Sequence, residues 1–303
     1  MKELVVISGK GGTGKTSLVA CFAALAGEVV LADCDVDAAD LHLLLAPETK
    51  ERMDFYAGKR AFIRQEDCIS CGSCLSRCRF EAVKMEGSGA GEARFRIDSI
   101  SCEGCGLCAY FCPQHAVELV DRKAGEWYLS ETRFGPLVHA RLAVGEGNSG
   151  KLVTQVKNRA RGIARERGLE WLIVDGSPGI GCPVIASLAG ADLVLIVTEP
   201  SLSARHDLER VTELARHFRT PAAGLINRFD INESIGDDIR RWCEDNGIPV
   251  MGAVPYDRRF TEAQVRRLSL IECCGGKAAQ AVRSAWEAVA NHLRRTEGES
   301  VRI

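Results

Sequence analysis

The sequence lacks any run of about 18 apolar residues, the length a helix needs to cross a bilayer. No spanning helix and no stable membrane anchoring are therefore expected. It also lacks an excess of charge of either sign. Its 39 lysines and arginines stand against 41 aspartates and glutamates, for a net charge of −2. Without a polybasic field, nothing draws it to nucleic acid or to an anionic lipid surface. The apolar run Leu4–Ile7 is too short for a signal peptide, which makes the expected location cytoplasmic.

Cysteine, by contrast, is plentiful. Fourteen cysteines without an export signal argue for metal ligation, because the cytosol keeps thiols reduced. The remaining composition is ordinary, 46% hydrophobic and 26% charged, and 303 residues suit one large domain and one small one.

Short apolar runs alternate with helical patterns through most of the chain. Leu4–Ser8, Val29–Ala32, Trp171–Val174, Leu193–Thr198, Ala223–Asn227 and Val250–Val254 read as strands, and Thr16–Ala26 reads as the first helix. Continuous apolar strands separated by helices predict a mostly parallel, doubly wound α/β sheet. Between Gly58 and Arg122 this rhythm gives way to a repeat of 34 residues: Cys68, Cys71, Cys74 and Cys78 recur as Cys102, Cys105, Cys108 and Cys112, and Ala82-Val83 as Ala116-Val117. Residues 60–120 are accordingly assigned to a small duplicated insert, and 1–59 with 121–303 to the α/β domain. Glu86–Glu92 reads as the connector between the two halves of the insert.

Two motifs carry chemistry. Gly9, Lys10, Gly11, Gly12, Thr13, Gly14, Lys15, Thr16 and Ser17 join the first strand to the first helix and fit G-x-x-x-x-G-K-[ST]. The glycines let backbone amides wrap a phosphate without side-chain clash. Lys15 suits the β- and γ-phosphate oxygens, and the Thr16 hydroxyl suits Mg²⁺. Each cysteine cluster follows C-x₂-C-x₂-C-x₃-C, in which three cysteines wrap one iron–sulfur cubane and the fourth reaches the other. Cys68, Cys71, Cys74 and Cys112 would hold one [4Fe–4S] cluster, and Cys102, Cys105, Cys108 and Cys78 the second. Zinc is the rival ligand, but its sites use paired C-x₂-C knuckles rather than four cysteines in one run.

The run Lys10-Gly11-Gly12-Thr13-Gly14-Lys15-Thr16 resembles the deviant phosphate loop of the MinD/ParA/nitrogenase-iron-protein class of dimeric ATPases. The resemblance implies that Lys10 reaches across a dimer to the partner's nucleotide. It also implies that Asp35, within Asp33–Asp37, orients the attacking water, and that Asp175, in Asp175-Gly176-Ser177-Pro178-Gly179, holds Mg²⁺ through water. Asn227 and Arg228, with Pro255, Tyr256 and Asp257, stand where the class reads the purine. Asp40 departs from the class pattern, which has asparagine there. The insert resembles bacterial two-cluster ferredoxins over about 55 residues, with Arg79 in place of the usual proline. The whole chain, including Gly125–His139 and Gly147–Val153, is similar to MinD-superfamily ATPases that contain an inserted ferredoxin domain.

That resemblance implies ATP or ADP, Mg²⁺ and two [4Fe–4S] clusters as ligands. It also implies an ATP-dependent homodimer, or a heterodimer with a paralogue, together with a redox or metalloprotein partner. The expected function is ATP hydrolysis, slow without that partner, coupled to electron transfer. Alternatives are a cluster carrier or assembly ATPase of Mrp type, and a MinD/ParA-like spatial organiser with a redox-sensing insert.

Among the remaining cysteines, Cys182 lies seven residues after Asp175, an offset similar to that of an interface cluster ligand in the nitrogenase iron protein, though the preferred reading is a small residue packing a turn. Cys21, Cys34 and Cys243 are expected to be buried fillers. The vicinal pair Cys273-Cys274 has no assigned role. The six histidines show no ligand spacing, and Ala278–Arg295 is expected to form a packed terminal helix.

Overall fold

A computed structural model of the chain describes residues 1–87, 93–147 and 149–300. Residues 88–92 of the proposed connector, and Asn148 in the run Gly147–Val153, lie outside the described residues. The chain divides into two compact units. One comprises Met1–Met53, Glu126–Leu142 and Ser149–Ile303, and the other Asp54–Gly125 with Ala143–Asn148.

The strands in chain order are β1 (Lys2–Ser8), β2 (Val30–Asp33), β3 (Glu48–Ile63), β4 (Val83–Glu86), β5 (Arg94–Ile97), β6 (Val117–Thr132), β7 (Gly135–Leu142), β8 (Trp171–Pro178), β9 (Leu193–Thr198), β10 (Ala222–Asn227) and β11 (Val250–Val254). The helices are α1 (Lys15–Ala26), α2 (Leu41–Leu45), α3 (Ser73–Arg77), α4 (Leu107–Tyr110), α5 (Ser149–Glu166), α6 (Cys182–Leu188), α7 (Leu202–His217), α8 (Glu233–Asp245), α9 (Arg259–Val265), α10 (Leu270–Cys273) and α11 (Lys277–Ser300).

Among the described residues the large sheet has the order β11-β10-β9-β1-β8-β2-β7-β6-β3. The pairs β1–β8, β1–β9, β9–β10, β10–β11, β2–β8 and β2–β7 are parallel, so the class is α/β with a mostly parallel sheet, as the apolar runs predict. Leu4, Val5, Val6 and Ile7 are all fully buried, which places the middle of β1 under cover on both faces. One face packs against α1, α10 and α11, where Phe22 and Trp171 each contact the Trp286 ring. The terminal helix α11 gives that core Ala278, Val282, Ala285, Val289 and Leu293, in keeping with a packed role. Among the described residues no helix is long and apolar enough to cross a membrane.

Strands β3, β6 and β7 have no counterpart in the sequence reading. The reason is visible in β3, a 16-residue edge strand whose first seven residues are mostly exposed and rich in charge. Such a strand is held by its neighbour's hydrogen bonds and carries no apolar run. Both β3 and β6 pass from one unit into the other.

In the second unit the 34-residue repeat becomes a repeat of conformation. Positive φ angles occur at Ser70 and Gly104, at Gly72 and Gly106, and at Glu81 and His115, each pair 34 residues apart. Gly72 and Gly106 adopt the left-handed conformation just before α3 and α4. The two halves exchange equivalent bonds: the Arg64 amide donates to the Ala116 carbonyl at 2.8 Å, and the Asp98 amide to the Ala82 carbonyl at 2.7 Å. Ala61, Ile63, Ala82, Val83, Phe95 and Val117 form a small core with buried Cys74 and Cys102, and Cys68, Cys78, Cys108 and Cys112 pack against it.

Candidate functional site

The phosphate loop leaves β1 and enters α1 through Gly14, which sits at φ +87° and caps the helix without a side-chain hydrogen bond. A Cβ at Gly14 would lie 2.5 Å from Asn227 Nδ2, so both backbone angle and crowding require glycine. Asn227 donates from Nδ2 to the Thr13 carbonyl at 2.7 Å, which ties the end of β10 to the loop. The first amides of α1 are thus left without a side-chain cap, the arrangement that receives a phosphate.

Lys15 is buried and its ammonium is ion-paired with Asp175 Oδ1, while Asp35 Oδ2 lies 3.7 Å away. Burial acts to lower the Lys15 pKa, but the Asp175 charge and hydrogen bond outweigh it, so the net shift is upward. Asp33 is fully buried and accepts from the amides of Asp35 and Leu41 at 3.1 Å each. Burial and the neighbouring Asp175 push its pKa well up. Burial also raises Asp35 to about 6, with further upward contributions from Asp175, Asp37 and Asp40. The charge of Asp40, where the class pattern has a neutral side chain, is therefore felt at Asp35. The two acidic loops are joined directly: the Ser177 hydroxyl donates to the Cys34 carbonyl at 2.7 Å, and the Cys34 amide to the Asp175 carbonyl at 2.8 Å.

Two buried polar atoms here have no partner within the protein, Thr13 Oγ1 and Asp175 Oδ2. Orphaned buried oxygens are costly, and their position beside Lys15 fits a site built for a phosphate and a hydrated cation. Thr16 lies half-buried in the first turn of α1. Asn227, Arg228, Pro255 and Asp257 all line one pocket with Gly14 and Ser17, so the structure brings the expected purine-reading residues together. Arg259 holds Asp257 through Nε at 2.9 Å, and that hydrogen bond lowers the Asp257 pKa.

Lys10 folds back onto its own chain. Its ammonium lies 2.8 Å from Glu199 Oε1 and donates to Ser201 Oγ and Ser203 Oγ at 3.1 Å each. The other Glu199 oxygen lies 3.2 Å from Arg228 Nη1, so one carboxylate links the loop lysine to the pocket arginine.

In the second unit, Cys78 from the first cysteine run meets Cys102, Cys105 and Cys108 from the second around one cavity, also lined by Ala61, Phe80 and Ile97. Backbone amides donate to the cysteine sulfurs at equivalent places. Ala82 N reaches Cys78 Sγ and Ala116 N reaches Cys112 Sγ, both at 3.3 Å, and Ala61 N reaches Cys102 Sγ at 3.5 Å. Burial raises the pKa of Cys74, and Cys68 and Cys71 add to the rise. Cys108 is raised in the same way, by burial and then by Cys102 and Cys105. Ser73 Oγ donates to the Phe111 carbonyl at 3.2 Å, which links α3 to the segment bearing Cys112. Among the described residues no three His, Cys, Asp or Glu side chains converge as a site for a single metal ion. A cubane presents its irons at separate corners, so its ligands stand farther apart than those of one ion.

Residues 4–270 match the CobQ/CobB/MinD/ParA nucleotide-binding domain family. The chain belongs to that family. An uncharacterised protein of Methanocaldococcus jannaschii is 35% identical over 233 residues, which is 76% of this chain and 79% of that protein. The MinC:MinD cell division complex of Aquifex aeolicus matches the fold with TM-score 0.58 at 17% identity, over 96% of each chain. MinD of Pyrococcus horikoshii, complexed with Mg-ADP, does so with TM-score 0.56 at 15% identity, over 95% of each chain. A ferredoxin of Pyrobaculum islandicum is 29% identical over 83 residues, 25% of this chain and 70% of the ferredoxin.

In this CobQ/CobB/MinD/ParA chain, Glu199 and Gln264 escape the sequence reading. Glu199 follows β9 directly, and a carboxylate at the C-terminal end of a parallel strand is a signal that would have found it. Gln264, which donates to Ser17 Oγ at 2.6 Å, sits on α9 more than two hundred residues away and gives no local sign. Cys21, Cys34 and Cys243 are buried, as fillers should be, and burial raises all three pKa values. Cys182 is exposed at the start of α6.

Proposed function

We propose that this chain binds and hydrolyses ATP and couples nucleotide-dependent dimer closure to electron transfer through two [4Fe–4S] clusters held by residues 60–120. The observation that carries the reading is the meeting of Cys78 with Cys102, Cys105 and Cys108 around one cavity. It is the exchange of a fourth cysteine that the two-cluster pattern requires. The ferredoxin likeness over 83 residues supports the same reading.

Cys68, Cys71, Cys74 and Cys112 would ligate one cluster, and Cys102, Cys105, Cys108 and Cys78 the other. A [4Fe–4S] cluster bound there supplies a one-electron couple. The amides of Ala82, Ala116 and Ala61 donate to the sulfurs of Cys78, Cys112 and Cys102, hydrogen bonds that would orient these ligands and tune a bound cluster.

At the phosphate loop, Gly9, Gly11, Gly12, Thr13 and Gly14 offer backbone to the phosphates, Lys15 neutralises them, and Thr16 with Asp175 holds Mg²⁺. Arriving phosphate takes Lys15 from Asp175 and Asp35, its present partners. Both carboxylates are then released on two loops that the Ser177–Cys34 hydrogen bond joins. Asp35 orients the attacking water, and Lys10 leaves Glu199 to stabilise charge on the partner's nucleotide. Asn227, Arg228, Pro255 and Asp257 hold the purine. The working form is a cytoplasmic homodimer, or a heterodimer with a paralogue, that docks a redox or metalloprotein partner.

The test is an anaerobic EPR redox titration with and without a non-hydrolysable ATP analogue. Two cluster signals whose midpoints move by about 60 mV or more on nucleotide binding, a tenfold change in a one-electron equilibrium, bear the proposal out. Absence of iron removes the cluster assignment. Clusters with unmoved midpoints remove the coupling and leave the insert as an independent sensor.

A further inference from the structure

The pair Cys273-Cys274 takes no part in the function proposed above. Its two thiols are half-buried at the end of α10, and Cys274 Sγ donates to Cys273 Sγ at 2.9 Å. Adjacent thiols in free chains have no reason to face each other, yet here the two sulfurs meet where α10 ends at Cys273 and the backbone turns extended at Cys274. Arg266 Nη1 reaches Cys273 Sγ at 3.9 Å. A cation thus stands beside the sulfur pair at which thiol–disulfide exchange would take place.

The backbone that follows touches the nucleotide pocket through one side chain. Arg259 donates from Nη1 to the Gly275 carbonyl at 2.6 Å, and a Cβ on Gly276 would lie 2.6 Å from its Nη2. On its other side Arg259 grips the carboxylate of Asp257, which lines the pocket with Asn227 and Arg228. The helix that starts at Arg259 also presents Thr261 and Gln264 to that pocket.

We infer that Cys273 and Cys274 form a reversible vicinal disulfide whose closure loosens the nucleotide pocket through Arg259 and Asp257. Each thiol gives up one proton and one electron, the two sulfurs bond, and an acceptor disulfide of low molecular weight is reduced to two thiols. Neighbouring Cα atoms stand about 3.8 Å apart, below the span of about 4.4 Å or more that disulfides normally bridge. Closure therefore twists the 273–276 backbone against Arg259, and the strained bond is readily reduced again. The inference stands apart from the iron–sulfur assignment, since none of the eight cysteines of the insert takes part.

The experiment uses the full chain incubated anaerobically with glutathione disulfide and then alkylated and digested with trypsin. Cleavage after Arg267 and Lys277 releases Leu268–Lys277, whose only cysteines are this pair. The expected product is that peptide lacking two hydrogen atoms and protected from alkylation, restored by a dithiol reductant. In parallel, a fluorescent ADP analogue with Mg²⁺ should bind about tenfold more weakly to the oxidised protein, the loss of one charge-assisted hydrogen bond. Cys273→Ser and Cys274→Ser should each bind as the reduced protein does and ignore the oxidant. A peptide that stays reduced, a peptide that retains one glutathione, or a closed peptide with unchanged nucleotide affinity in the unsubstituted protein would each overturn the inference.

Discussion

Lys15 serves two masters at the residue scale. Without nucleotide it is the counter-ion that lets Asp175, Asp35 and buried Asp33 share one site. Lys15→Ala should therefore abolish nucleotide binding, measured by equilibrium titration. The same change should lower unfolding stability by about 3–5 kcal/mol in urea, because it strands buried carboxylates. A variant that lost binding with its urea midpoint unchanged would contradict the ion-pair account.

A second residue, His139, carries a pH signature. Its imidazole is buried between the rings of Tyr128 and His42 and bonds Ser130 Oγ through Nε2 at 3.0 Å. Burial, then the nearby His42, depresses its pKa from 6.5 to about 4. Between those values the unfolded chain binds the proton and the native chain does not, so stability falls as pH falls from 6.5 to about 4. The full shift corresponds to about 3 kcal/mol. Thermal melts of His139→Gln should lack that part of the acid slope. Identical slopes in the variant and the unsubstituted protein would refute the assignment.

At the scale of elements, the paired helices α3 and α4 and their flanking turns make the cysteine runs interdependent. If Cys78 serves the cluster of the second run, Cys78→Ser and Cys105→Ser strike the same cluster. Each should reduce bound iron from about eight to about four atoms per chain, and the double variant should lose no more. Pairing Cys78→Ser with Cys71→Ser should remove nearly all of it. Iron analysis alongside EPR of anaerobically purified variants distinguishes crossed from uncrossed ligation. The 34-residue repeat was legible because the same short cysteine spacing occurs twice along the chain. The amides of Ala82 and Ala116 that donate to sulfur were not, since alanine carries no mark of what its backbone nitrogen will meet.

At the scale of the whole molecule, the dimer proposed above requires Lys10 to leave Glu199, Ser201 and Ser203 before it can reach a partner's nucleotide. Glu199→Gln should free it and tighten dimer formation with a non-hydrolysable ATP analogue. The expected gain is about two- to fivefold, in line with a partly exposed ion pair. Lys10→Ala should abolish that dimer. Sedimentation velocity over a concentration series reads both, and an unchanged association constant in Glu199→Gln would show that the pair does not restrain the lysine.

The sequence by itself determined the parallel α/β class, the phosphate loop and the grouping of eight cysteines. Each rests on local rules: apolar runs for strands buried on both faces, glycines for a phosphate turn, and a short repeated spacing for the cysteines. Only the tertiary structure decided that Asn227, Arg228, Pro255 and Asp257 meet Gly14 and Ser17 in one pocket. It alone joined Glu199 to Lys10 and Arg228, and set Arg259 between the Gly275 carbonyl and Asp257. Those contacts join strand ends and helices far apart along the chain. Their partners are chosen by sheet order and helix packing, and neither leaves a periodic trace in the residues concerned.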